Sequence, residues 1–550
     1  MVSKTRLLHV ALVAAVGATA TLGAAANGKK FYPDDPLVDM VDSQDASGVR
    51  EREIDVVYDT LENSFSARGD VTPNVRAMNI NTIDEVPDSN WFTNRLGTSA
   101  VTVEELLRGP DTTAGPTPGP WMVIAAKSDG VTPGFTIRDR AGVVWFIKFD
   151  PRGYPAMATG TEVVVTKLFW ALGYYVPEVH IATLRTAELQ IGESAKIKLP
   201  SGKTRRFKSD DILALLDTAH RDADGSYRVI ASKALEGRPV GGFRFYGVRS
   251  DDPNDVIPHE HRRELRAYGT FSAWLNHVDS KSINTLDTVI ERDGRHVVRH
   301  HLLDFGSTIG SAGVYPREAY EGWEHLIEPG KTLAGIPSFG LYVKDWRTVP
   351  IHRARSVGAF PIENSKWDPE MWKARYPNAA FRSARLDDKF WAARRLHAFT
   401  DEMLNAVIRL GKFNDPLSEE MLSRFLNERR DAIVRRYLPA VNPIVDVRLD
   451  SGRLTFRNAA VDAGVAAAPS EYAVQWKRFN NDSGESTEVA TTHGSATGID
   501  VPANLAAPSG AYIRADISAP GGPAEWTKPV HAYFRNDRTG WTLVGFERMP

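Results

Sequence analysis

Two short stretches of this 550-residue chain carry side chains that could work together chemically. The first, His277-Val278-Asp279-Ser280-Lys281-Ser282-Ile283-Asn284, sets a carboxylate, an ammonium and an amide close together. The second, Leu303-Asp304-Phe305-Gly306, adds another carboxylate. A positioned carboxylate can orient a hydroxyl group and take its proton. Carboxylate and amide oxygens are the ligands that hard divalent cations prefer, and Mg²⁺ takes few of them from protein. An ammonium beside them offers positive charge to an anionic reactant. Upstream, Phe146-Ile147-Lys148-Phe149 and Glu162 contribute a second ammonium and a third carboxylate from apolar surroundings.

Those groups need elements to hold them. Residues 121–125, 135–138 and 143–149 read as strands, with Lys148 near the end of the third. Residues 161–172 follow, with Val164, Val165, Leu168, Phe169 and Leu172 at helical spacing and Gly173 as a C-cap. Two further strand-like runs, 179–184 and 228–235, flank a charged insertion at 196–221. Residues 259–276 read as a helix that ends just before His277. A hairpin turning at Asp293-Gly294 then leads toward Asp304. A helix, a loop and a hairpin in that order bring Asp279, Lys281, Asn284 and Asp304 to one edge of a cleft. Residues 387–437 are helical by their apolar spacing.

The combined pattern resembles the protein-kinase catalytic loop, H-R-D-L-K-x-x-N, followed after a hairpin by D-F-G. His277, Asp279, Lys281 and Asn284 fall at matching offsets, and Asp304-Phe305-Gly306 supplies the second motif. The resemblance covers roughly residues 121–437. It implies ATP as cofactor with Mg²⁺, or Mn²⁺ in its place. It also implies that Asp279 orients an acceptor hydroxyl and that Lys281 lies near the transferring phosphoryl group. Asn284 and Asp304 would be metal ligands, and Lys148, held by Glu162, would bind the α- and β-phosphates. The turn at 128–135, with Gly130 and Gly134, stands where a phosphate-covering loop belongs. It is not G-x-G-x-x-G and looks more like the glycine–proline loop of HipA-like kinases.

Three departures qualify the resemblance. Val278 replaces the Arg that clamps a phosphorylated activation loop, so that mode of control is not expected. No A-P-E follows Asp304-Phe305-Gly306, which moves the likeness toward atypical kinases. The hairpin also sets Asn284 and Asp304 further apart than usual.

Other motifs carry less. Ser201-Gly202-Lys203-Thr204 is similar to a P-loop end, but Ile197 occupies the place of its first Gly, and a hairpin turn is the better reading. Neither His259-Glu260-His261 nor His300-His301 puts two imidazoles on one face for zinc. No G-x-S-x-G elbow is present, and the absence of Cys excludes disulfides, thiolate sites and a Cys nucleophile. A formal net charge of −2 gives no footprint for nucleic acid.

The expected organisation is a signal peptide at 1–26, an irregular lead-in at 27–120, a kinase-like domain at 121–440 and a β-sandwich at 441–550. The first follows from Lys4 and Arg6 before an apolar stretch ending in Ala24-Ala25-Ala26, and retention as an anchor stays open. No later segment is apolar enough to span a bilayer. The fold class is therefore α+β, bilobal and protein-kinase-like, with the two appended parts. The expected function is a secreted or periplasmic phosphotransferase acting on a hydroxyl of a protein, sugar or envelope glycan. Secretory-pathway and CotH-like spore-coat kinases are precedents by resemblance. A pseudokinase that binds a ligand or partner is the alternative, and nucleotidyl transfer is possible in the same fold.

Overall fold

The computed structural model describes residues 28–98, 100–127, 132–198, 203–328, 344–365, 367–505, 508–538 and 540–549. The expected signal segment lies outside them.

Seven strands form the sheet of the smaller lobe: β1 Trp121–Ala126, β2 Gly134–Arg138, β3 Val144–Phe149, β4 Val179–Leu184, β5 Leu189–Lys198, β6 Thr204–Arg206 and β7 Tyr227–Lys233. They lie in the order β4-β7-β3-β2-β1-β5-β6, and only the β1–β5 pairing is parallel. Alternation along β3 decides what each face does. Trp145, Ile147 and Phe149 are buried on one face. Phe207, Ile212 and Leu216 pack against them, the last two from the helix Ser209–Thr218. The insertion read as merely charged therefore supplies a buried apolar stripe that covers this face. Phe146 and Lys148 look the other way, into the cleft.

The helix after β3 runs from Met157 to Ala171 and is buried along nearly its whole length. It begins four residues before the sequence expectation of 161, for a reason that local pattern does not reveal. The carboxylate of Asp150, seven residues before the helix begins, caps its start: Ala156, Ala158 and Thr159 each donate a backbone N–H to it at 2.9 Å. Capping by a carboxylate satisfies orphan donors and complements the helix dipole. At Gly160 the helix presses on the next lobe, where any Cβ would lie 2.7 Å from the Gly411 carbonyl oxygen and against the Phe413 ring. Arg228 on β7 fastens the same corner, donating to Thr159 Oγ1 at 2.8 Å and to the carbonyls of Lys412, at 2.7 Å, and Gly411.

The larger lobe is helical. Arg263–Leu275 leads to the His277 loop, and Leu386–His397, Asp401–Leu410 and Pro416–Tyr437 pack around it. The single helical run expected at 387–437 is thus three helices, restarted at Thr400 and Asp415, whose side chains accept from Met403 and Ser418 backbone N–H groups. A small sheet of β8 Arg238–Pro239, β9 Thr285–Arg292 and β10 Arg295–Leu302 contains the expected hairpin, with Asp293 at φ 52° and Gly294 at φ 74° in its turn. Both left-handed positions suit the tight turn that matches strand twist. A two-stranded sheet, β11 Ile351–Ala354 with β12 Gly358–Pro361, lies beyond.

The lead-in, largely irregular, is woven into the rest. Asp84 meets Arg263 at 3.0 Å, and Glu85 accepts from Trp391 Nε1 at 2.9 Å and from Arg394 at 3.1 Å. Phe31 packs on Tyr533 with ring centroids 5.1 Å apart.

Past Tyr437 come two antiparallel sheets. The first holds β13 Ile444–Asp450, β14 Arg453–Asn458 and β17 Gly498–Asp500. The second, in the order β16-β15-β18-β19-β20, holds β15 Tyr472–Phe479, β16 Ser486–Gly494, β18 Tyr512–Ser518, β19 Val530–Asp537 and β20 Gly540–Glu547. Leu454 and Phe456 from one and Val474, Trp476, Ile513 and Phe534 from the other share a core with the helical lobe. Trp526 Nε1 donates to the Pro439 carbonyl at 3.1 Å, and Phe546 N–H to Thr82 at 2.7 Å. Among the described residues, no helix is long and apolar enough to cross a membrane.

Candidate active site

Lys148 is the centre of the site. Its Nζ lies 2.8 Å from Glu162 Oε1, 3.1 Å from Oε2 and 2.9 Å from Asp304 Oδ1. The three residues come from β3, from the following helix and from the turn after β10. One ammonium therefore joins three elements. Burial opposes its charge, but the two carboxylates outweigh burial and raise the Lys148 pKa. Burial pushes Glu162 up, with Lys148 opposing. The neighbouring ammonium of Lys148 holds Asp304 down at about 2. The difference follows from position, since the Glu162 carboxylate is almost wholly enclosed whereas 37% of the Asp304 side chain is exposed to the cleft. Asp304 adopts φ 60°, a left-handed conformation that Asp tolerates better than most residues.

The loop after Arg263–Leu275 turns at Asn276, φ 51°, whose Oδ1 accepts from Trp372 Nε1 at 3.0 Å. His277 follows, buried among Phe169, Tyr268 and Phe305, with Nδ1 3.0 Å from Thr308 Oγ1. Burial lowers its pKa to about 4, so the ring is neutral at pH 7. Asp279 forms an ion pair with Lys281. Burial pushes its carboxyl up, but Lys281 prevails and keeps it below the usual range. Asn284 Nδ2 donates to the Asp279 carbonyl at 2.7 Å and to its Oδ2 at 3.1 Å. The Leu303 N–H then binds the Asn284 carbonyl at 2.9 Å, which ties the loop to the strand end that presents Asp304.

A cavity of about 560 Å³ opens between the lobes. Lys148, Glu162, Asn284 and Asp304 line one end, and Leu235, Ile283, Leu286 and Leu303 supply apolar wall. That size and mixture suit a small polar ligand with one flat apolar part. Among the described residues, no group of three or more His, Cys, Asp or Glu is arranged to hold a metal ion. Asn284 and Asp304 are still hard oxygen donors at the cleft, and a Mg²⁺ ion that draws its other ligands from phosphate and water needs no more.

The structure thus brings together Lys148, Glu162, Asn284 and Asp304 around the cleft, with Asp279 and Lys281 joined to them through Asn284. Gly130 lies outside the described residues. Gly134 sits inside β2, opposite Lys148, where any Cβ would collide with the Ile147 carbonyl. Close strand packing is therefore enough to require glycine there. Two residues escaped sequence reasoning. Asp150 is one, and its position two residues beyond Lys148 was the only hint. Lys127, at the end of β1, is the other and also lines the cavity.

Solved structures similar to this chain include two kinases. One is the crystal structure of the proinflammatory kinase CtkA of Helicobacter pylori, 13% identical, TM-score 0.29, covering 57% of this chain and 99% of that one. The other is the crystal structure of the Golgi casein kinase with Mn and ADP bound, 12% identical, TM-score 0.27, covering 73% of this chain and 95% of that one. Both TM-scores fall below 0.5, and neither likeness bears on the reading of this chain. No family model matches the chain, and no curated protein matches it.

Proposed function

We propose that this chain is an exported, ATP- and Mg²⁺-dependent phosphotransferase acting on a hydroxyl of a protein, a sugar or an envelope glycan. The observation that supports it most is Lys148 Nζ at 2.8 Å from Glu162 and 2.9 Å from Asp304 in a cleft that Asn284 also lines. In this reading Lys148 takes the inner phosphates, and the oxygens of Asp304 and Asn284 face the metal, for which Mn²⁺ is a suitable substitute. The metal, when bound, neutralises phosphate charge. Asp279, kept ionised by Lys281, orients the acceptor hydroxyl and takes its proton. The acceptor oxygen bonds to the γ-phosphorus as the bridge to the β-phosphate breaks, and ADP leaves. The apolar wall suits a purine ring. Export rests on the sequence pattern of residues 1–26.

A second reading, a nucleotide-binding module without transfer, draws on one observation: Asp279 is already engaged by Lys281 and Asn284. Thermal shift of the full chain with ATP, with and without Mg²⁺, tests the site, because a ligand specific to the folded state must stabilise it. Mg²⁺-dependent stabilisation by ATP is the expected result, and none under either condition would sink the proposal. Release of γ-phosphate to acceptor or water then separates the two readings.

A further inference from the structure

The inner end of the cleft holds one ammonium, Lys148, against two carboxylates, Glu162 and Asp304. That trio is negative on balance, and a polyphosphate approaching it meets repulsion at short range. Backbone amides of a glycine-rich turn would ordinarily offset this. Here the turn after β1 contains Pro133, which has no N–H to give, and the Pro133 carbonyl is itself used by Phe149 N–H at 3.1 Å. A side-chain cation at the start of this turn can serve the same end.

We propose that Lys127 is a second phosphate-binding cation of this cleft, acting on the terminal phosphates of a nucleoside triphosphate. The inference rests on the nucleotide reading above and adds a residue to it. Lys127 ends β1, lines the same cavity as Lys148 and Asp304, and donates from Nζ to the Thr132 carbonyl at 3.1 Å. That bond holds the far side of the turn. Thr132 in turn stands over the segment that follows Asp304, where a Cβ on Gly313 would lie 3.4 Å from Thr132 Oγ1. The lysine thus lines the cavity together with Lys148, Glu162 and Asp304. Its charge acts on both carboxylates of the trio and helps keep Asp304 ionised. With Lys127 counted, two ammonium groups stand against the two carboxylates of Glu162 and Asp304 among the described residues. A phosphate oxygen can replace the Thr132 carbonyl as a partner of Nζ, exchanging a neutral acceptor for a charged one, which makes the stronger hydrogen bond.

The test compares adenosine, ADP and ATP, each with Mg²⁺, by calorimetry on the full-length wild type and on Lys127→Met and Lys127→Arg. For Lys127→Met, ATP affinity falls on the order of tenfold, ADP affinity falls less and adenosine affinity stays unchanged; Lys127→Arg keeps most of the ATP affinity. Unchanged ATP affinity in Lys127→Met overturns the inference and leaves the nucleotide reading standing. Equal weakening of ATP and adenosine also overturns it, since the loss would then be of shape and not of charge. A wild type that binds none of the three overturns the nucleotide reading and this inference with it. Should Lys127→Met fail to fold, the Arg variant and Lys127→Gln carry the same comparison.

Discussion

The ring of Phe169 stacks on that of Phe305, with centroids 4.8 Å apart and planes inclined by 24°. Phe169 is two turns along the helix from Glu162, and Phe305 adjoins Asp304. The contact therefore fastens, by apolar packing, the same two elements that Lys148 joins by charge. Packing of this kind sets the separation of the carboxylates whether or not the ammonium is between them.

Replacing the ammonium separates the two contributions. Lys148→Met leaves Glu162 enclosed without its cation, and removing one partner of a buried pair costs about 3 kcal/mol or more. Urea unfolding should register that loss at pH 7. The double variant Lys148→Met/Glu162→Gln should recover most of it, because no charge is then stranded. Equal stability of the single and double variants would show that the Glu162 carboxylate is relieved by something other than Lys148.

Asp304→Asn and Asp279→Asn should part binding from chemistry. The first removes a negative charge from the proposed metal site and should abolish most Mg²⁺-dependent ATP binding while the fold survives. The second should leave Mg²⁺–ATP affinity within about twofold and reduce transfer by roughly a hundredfold or more. Matched titrations of both variants decide it. Wild-type affinity in Asp304→Asn removes the metal assignment.

Two buried histidines give the chain an acid limit. Burial holds His277 at about 4 and lowers His301, beside Arg299, His300 and Asp287, to about 4, both from an ordinary 6.5. The unfolded chain takes up these protons first. Stability is therefore complete above pH 6.5 and declines as pH falls toward 4, by roughly 3 kcal/mol per histidine at most. Denaturant midpoints measured from pH 7.5 to 4.5 should fall through this window. His301→Gln should flatten the decline, and an unchanged slope would mean that His301 titrates normally.

The β-sandwich and the helical lobe share a core, and their contacts include Trp526 to Pro439, Phe546 to Thr82, and Arg548 lying 4.2 Å over the Phe390 ring. Cutting the connection near Asn442 should leave the two parts bound together. Size-exclusion of the nicked protein without denaturant should give one peak, and two peaks would mean the interface is weaker than its packing implies.

Much of the cleft was legible because its residues sit beside strong local signals. Lys148 ends an apolar strand, Asp279 follows an apolar helix, and Asp293-Gly294 announces the hairpin that carries Asp304. Capping was harder to see. Asp150 caps a helix that begins seven residues later, at Met157, and its type alone does not distinguish it from a loop aspartate. The charged insertion concealed Phe207, Ile212 and Leu216, because its apolar stripe is narrow and diluted by charge. The packing need for glycine at 134 is equally hidden, because sequence does not reveal which backbone carbonyl will press on it. The buried pairing of Asp84 with Arg263 spans the lead-in and the helical lobe, a separation beyond any periodicity.

Gly160 and Arg228 bear on control. Between them they hold the helix of Glu162 against the larger lobe, so the position of the Lys148–Glu162 pair is fixed in part by contacts outside the cleft. Under the proposed function, control by swinging this helix would first have to break those contacts. Control through supply, meaning how much nucleotide reaches the site and how much chain is made, would leave them intact.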